Sequence, residues 1–142
     1  DRIVYSLHGD GELQEGQIWE AAMYASAKKV DNLICAVDLN GQQIDGSTEE
    51  VLDMGSLEAK FTAFGFDVLV EKQGNDMASV VAALEEAKTR TGKGKPVCIL
   101  LYTEMGNGVD YMMGSHKWHG VAPNDEELAN ALAQNEETLG DY

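Results

Sequence analysis

Gly9-Asp10-Gly11 and the later run Val37-Asp38-Leu39-Asn40-Gly41-Gln42 each follow a stretch that reads as a β-strand. Asn40 stands thirty residues after Asp10. If the two strands are parallel neighbours, the carboxylate and the carboxamide emerge together at the carboxyl end of a sheet, where ligands of such sheets bind. Holding a divalent cation against a diphosphate calls for this pair of oxygen donors. Mg²⁺ wants oxygen ligands in near-octahedral array and takes some of them from phosphates, and Ca²⁺ accepts the same oxygen types. Asp10 offers a charged oxygen, Asn40 a neutral one, and the backbone carbonyl of Gln42 a third. Gly9 and Gly11 are expected to let the backbone approach the phosphates, with positive φ open to both. A helix starting near Glu15 is expected to turn its free N–H groups toward the anion.

Simpler readings compete. Asp10 as a plain turn cap does not explain Asn40 or the flanking glycines. A calcium loop would use Asp38, Asn40, Gln42 and Glu49, but Gln43 occupies the position that requires glycine, and a strand precedes the loop where a helix should. Gly9 to Gln14 fails as a dinucleotide fingerprint, because Gln14 stands where the third glycine belongs. His8 reads either as a neighbour of the anion site or as a structural hydrogen-bond partner. His116 reads as an exposed loop residue, and Met112-Met113 as loop packing.

Alternating strands and helices must position these groups. Arg2 to Leu7, Leu33 to Val37, Phe66 to Val70 and Val97 to Tyr102 read as strands rich in β-branched and large apolar residues. Glu15 to Val30 reads as a helix that is apolar nearly all round, and therefore one that also meets a second chain or domain. Ser56 to Phe64 reads as a short helix capped by Ser56. Asp76 to Arg90 is expected to bury Met77, Val80, Val81, Leu84 and Ala87. Asp125 to Asn135 reads as a last helix capped by Asn124, its first turn acidic. Leu39–Gly55 and Thr103–Pro123 read as long functional loops. The pattern predicts an α/β fold: a parallel sheet flanked by helices.

The chain has 142 residues and a formal net charge of −15. That balance excludes nucleic acid and anionic membrane as partners, since both call for basic patches. No apolar run approaches the ~18 residues of a membrane span. Cys35 and Cys98 lie inside strand-like runs and read as buried free thiols of a reducing, cytoplasmic compartment. The first residues already resemble a core strand, so the chain reads as a piece of a larger domain. An open strand edge and an apolar helix face are expected to make it associate.

The run GDGELQEGQIWEAAMYASAKKVDNLICAVDLNGQQIDG resembles the thiamine-diphosphate signature of transketolases. The likeness continues through Gly74-Asn75-Asp76, Thr103-Glu104-Met105-Gly106-Asn107-Gly108 and Trp118-His119-Gly120. The closing EETLGDY resembles the end of the amino-terminal subunit of split transketolases. The resemblance implies that residues 1–142 are the C-terminal part of a thiamine-diphosphate-binding, diphosphate-type domain. It implies that Asp10, Asn40 and the Gln42 carbonyl hold Mg²⁺ or Ca²⁺, with Gly9 and Gly11 against the diphosphate and Ile44 on the thiazolium ring. His119 would touch the diphosphate and the donor substrate. Glu15 and Glu20 would face the partner and link two active sites. The implied reaction moves a two-carbon ketol unit from a ketose phosphate to an aldose phosphate. The implied partner is a pyrimidine-binding, carboxy-terminal subunit in a homo- or hetero-oligomer. That partner carries the activating glutamate and the phosphate-binding arginines, so this chain is not active alone. A deoxyxylulose-phosphate synthase, a dihydroxyacetone synthase, the α component of a 2-oxo-acid dehydrogenase and a non-catalytic assembly homologue are the alternatives. The loop Asn40–Gly46 favours the transketolase branch.

Overall fold

The computed structural model describes residues 2–135; the closing run 136–142, on which the subunit-end resemblance rests, lies outside them. Four parallel strands form the sheet in the order β1-β2-β6-β5: β1 Val4–Gly9, β2 Leu33–Leu39, β6 Val97–Tyr102 and β5 Asp67–Glu71. Five helices accompany them: α1 Gly16–Ala27, α2 Thr48–Leu52, α3 Leu57–Ala63, α4 Met77–Arg90 and α5 Asp125–Gln134. The expected α/β architecture is the one observed.

Side-chain alternation splits the core in two. Cys35, Val37, Cys98 and Leu100 point to the side of α1 and α3, where Ala22, Ala25, Leu57, Phe61 and Phe66 close over them. Ile34, Val97 and Ile99 point the other way, onto Ala83 and Ala87 of α4. β2 and β6, central in the sheet, are buried along most of their length, whereas β1 is an edge with Val4, Tyr5 and Leu7 exposed. Both cysteines are free and buried, as expected, and burial pushes both thiols upward.

Three expectations need correction. The stripe assigned to α4 is rotated: Met77 and Val81 are 71% and 49% exposed, and the helix packs through Ala83 and Ala87. Close packing of a helix on a sheet favours small side chains, and a count of large apolar residues passes over them. The Leu39–Gly55 loop contains a two-stranded antiparallel hairpin, β3 Gln42–Gln43 and β4 Gly46–Ser47, followed by α2. Finally, α1 buries one face, through Ala22 and Ala25, while Met23 and Tyr24 are 55% and 64% exposed.

The caps follow the sequence. Ser56 accepts from the Ala59 N–H at 3.1 Å, and Asp76 from that of Ser79 at 2.8 Å. Asn124 and Glu127 form a reciprocal capping box on α5. Among the described residues no helix is long and apolar enough to cross a membrane.

Candidate functional site

β1 and β2 run side by side with Gly9 opposite Asp38. The turn after each strand therefore emerges at the same edge, and Asp10 lies against the Asn40 turn. Asp10 is 1% exposed. Its Oδ1 accepts from the Gly11 N–H at 2.8 Å and its Oδ2 from the Gly41 N–H at 2.5 Å. Burial pushes its carboxyl above the usual carboxylate value; the Gly41 and Gly11 amides pull it back in part, and the nearby Asp38 carboxylate adds to the push.

Asn40 is fixed at both ends of its amide. Oδ1 accepts from the Gln42 N–H at 2.9 Å, and Nδ2 donates to Asp38 Oδ2 at 3.2 Å. The other oxygen of Asp38 accepts from the Thr103 hydroxyl. Thr103 follows β6 directly, so three strand ends meet here. Beyond Asn40 the chain enters the β3–β4 hairpin, whose two-residue tip is Ile44-Asp45. Ile44 is 66% exposed at that tip. A 3-10 turn, His116–His119, packs against the hairpin and brings His119 to the same place. Trp118 anchors this turn by donating its indole N–H to the Tyr111 carbonyl at 2.9 Å.

These elements enclose a cleft of ≈ 390 Å³ lined by Gly9, Asp10, Gly11, Asn40, Gln42, Ile44 and His119, with Glu12, Asp38, Gln43 and Asp45 beside them. Glu15 and Glu20 do not line it. Glu15 precedes α1 without a side-chain capping bond, and both residues are exposed. The turn that follows Gly11 is a short 3-10 segment, Glu12–Gln14, so α1 begins one turn later than the expected anion-facing helix would. Neither Gly9 nor Gly11 has positive φ; Gly11 sits at φ −62°. Their requirement is space instead. A Cβ on Gly11 would meet Gln43 Oε1 at 2.8 Å, whereas one on Gly9 would meet nothing within 4 Å.

The sequence reading passed over Glu12, Asp38, Gln43 and Thr103. Asp38 carried a signal, since it lies two residues before Asn40 on the same strand face. Glu12 offered little, as an acid in a turn is common; here its Oε2 accepts from the Gly9 N–H at 3.3 Å.

The donor set fits a hard dication. Asp10 is a buried carboxylate whose side-chain partners among the described residues are backbone amides, with a second carboxylate close by. A cation is what such a group lacks. Among the described residues no three His, Cys, Asp or Glu side chains gather to cage a metal, so other oxygens would have to come from amide and backbone carbonyls and from phosphate.

The model for the transketolase thiamine diphosphate binding domain matches residues 1–138. The chain belongs to the transketolase family. One of the two subunits of an apulose-4-phosphate transketolase from Phocaeicola vulgatus is 40% identical over 139 residues, which are 98% of this chain and 48% of that one. A 6-deoxy-6-sulfo-D-fructose transketolase subunit from a Clostridium species is 40% identical over 131 residues, covering 92% of this chain and 46% of its own. The chain thus spans about half the length of the curated relatives it matches. A transketolase structure from Campylobacter jejuni superposes with a TM-score of 0.84 at 36% identity, over 94% of this chain and 20% of that one. One from Pichia stipitis, in complex with xylulose 5-phosphate, gives 0.85 at 30% identity, over 94% and 19%. The transketolase branch of the sequence reading is therefore the right one, and thiamine diphosphate binding is a property of the family's domain.

Proposed function

We propose that this chain anchors the diphosphate of thiamine diphosphate, through Mg²⁺ or Ca²⁺, within an enzyme that moves a two-carbon ketol unit between sugar phosphates. The observation that carries the proposal is the convergence of Asp10, Asn40, Gln42, Ile44 and His119 on one cleft at the carboxyl edge of the sheet. Asp10, Asn40 and the Gln42 carbonyl hold the metal. Gly9 leaves open space beside Asp10 for phosphate oxygens. Ile44, uncovered at the hairpin tip, offers an apolar surface to the thiazolium ring, and His119 donates to the diphosphate or to the donor sugar. When bound, thiamine diphosphate supplies a carbanion nucleophile and an electron sink. The chain's own residues bind, orient and neutralise charge. Glu15 and Glu20, exposed beside the open face of α1, meet a pyrimidine-binding partner subunit, which completes the site.

The donor class is an acidic ketose. The two relatives above are named for a phosphorylated and a sulfonated sugar, which agree on a ketose bearing an anionic group and differ on the sugar. The test is ketol transfer by the complete assembly, in which this chain is joined by the remainder of its own subunit and by the partner. Asp10→Ala at limiting Mg²⁺ is expected to lower the rate by more than the ~10–100-fold that loss of an outer-shell contact costs a metal site. Undiminished activity in that variant would remove Asp10 from the metal.

A further inference from the structure

Asp38 touches both the amide that faces the metal position and the loop that follows β6. Its Oδ2 accepts from Asn40 Nδ2 at 3.2 Å, and its Oδ1 accepts from the Thr103 hydroxyl. Its backbone carbonyl accepts from the Asp10 N–H at 3.1 Å. The Thr103 backbone is tied in as well, donating from its N–H to the Leu39 carbonyl at 3.3 Å.

A carboxamide is nearly symmetrical in shape and opposite in function at its two ends. With the oxygen toward a cation it is a ligand; reversed, it presents two N–H donors and repels. In Asn40 the oxygen faces the Gln42 N–H and the nitrogen faces the Asp38 carboxylate. A reversed amide would set N–H against N–H on one side and oxygen against a carboxylate on the other. Both contacts therefore select one orientation. That of Asp38 is the stronger selector, because its acceptor is charged and is itself held by Thr103.

We propose that Asp38 is a positioning residue for the metal: with Thr103 behind it, it locks the Asn40 amide so that Oδ1 remains the ligating end. The proposal rests on the functional reading above and adds a residue to it. Asp38 acts through Asn40 and is not itself a ligand. Its charge also lies near Asp10, so simple attraction of a cation is the competing account, and the test must separate the two.

The experiment is a calorimetric titration of Mg²⁺ into the chelator-treated complete enzyme at saturating thiamine diphosphate. Wild type, Asp38→Ala, Asp38→Asn, Asn40→Ala and the double variant Asp38→Ala/Asn40→Ala are compared. Asp38→Ala is expected to weaken Mg²⁺ binding by ~10–100-fold, the usual cost of an outer-shell partner. Asp38→Asn keeps an acceptor oxygen for Asn40 Nδ2 and nearly the same volume, and is expected to stay within a few-fold of wild type. In the Asn40→Ala background the Asp38→Ala change is expected to cost nothing further, which a general structural role would not produce. Asp38→Asn falling as far as Asp38→Ala would assign the effect to charge and overturn the proposal. So would additive losses in the double variant, or Asp38→Ala binding like wild type. Wild type that fails to bind Mg²⁺ with the cofactor would instead overturn the functional reading, and this proposal with it.

Discussion

Gly9 and Gly11 flank the same aspartate and need to be glycine for different reasons. A methyl group on Gly11 would press on Gln43, with its Oε1 at 2.8 Å and its Cβ at 3.0 Å, and so on the floor of the hairpin that carries Ile44. One on Gly9 would project into open space, the space assigned here to phosphate oxygens. Gly9→Ala is therefore expected to leave the melting temperature of the ligand-free chain unchanged while weakening thiamine diphosphate binding by calorimetry. Gly11→Ala is expected to lower both. A Gly9→Ala chain that binds the cofactor as wild type does would move the diphosphate away from this turn. Much at this scale could be read from the sequence. Asp10 and Asn40 declared themselves because each directly follows a strand, and the Gly9–Asp38 register then brings them together. Asp38 and Thr103 did not, because a bond across residues 38 and 103 depends on strand order, which no local pattern encodes. The glycines were identified for the wrong reason: steric room, not backbone torsion, is what they supply.

At the level of elements, long apolar strands and capped helices were recoverable, since their signals are local and repeated. The β3–β4 hairpin was not: strands of two residues, Gln42–Gln43 and Gly46–Ser47, carry no periodicity and take their form from the turn between them. The phase of α4 was misread because Ala83 and Ala87 contribute little to an apolar count and yet make the closest contact with the sheet. The start of α4 yields a prediction whose sign can be worked out. Hydrogen bonds from the side chain and N–H of Ser79 hold the Asp76 carboxyl below its ordinary value of 3.8. A carboxyl with a depressed folded pKa adds stability that is present above the unfolded value and is lost as pH falls through the folded one. Asp76→Ala is thus expected to melt below wild type at neutral pH, with the gap narrowing once the pH drops below 3.8. Parallel melting curves from neutral to strongly acid pH measure this, and a gap that persists in acid would mean that the cap acts without its charge.

For the molecule as a whole, the open side of β1 dominates. β1 has a hydrogen-bonded neighbour on one flank only, and the register pairs Tyr5 with Ile34 and Leu7 with Ala36, so both point to the face that α4 covers. α4 does not reach far enough to close it. Leu7 is 72% exposed and shares a groove with Met77, which is 71% exposed. On the opposite face, Ser6, His8 and Cys35 line an apolar cavity against Ile18, Ala21, Ala22 and Ala25 of α1. Fully burying one large apolar side chain contributes ~1.5–3 kcal/mol, and association costs ~4–15 kcal/mol in lost freedom. Covering Val4, Tyr5, Leu7, Met77 and Val81 together is therefore of the right size to offset that cost, and an unpaired strand edge adds backbone hydrogen bonds. The chain by itself is expected to self-associate through β1, with a light-scattering mass that rises with concentration. Tyr5→Lys combined with Leu7→Lys should shift it toward monomer while leaving its circular dichroism intact, because neither side chain belongs to the core. A wild-type chain that stays monomeric at high concentration would show that the exposed strip is too small or too interrupted to act as an interface. Association that persists unchanged in the double variant would move the contact away from β1, and the exposed Met23 and Tyr24 face of α1 would be the next surface to charge.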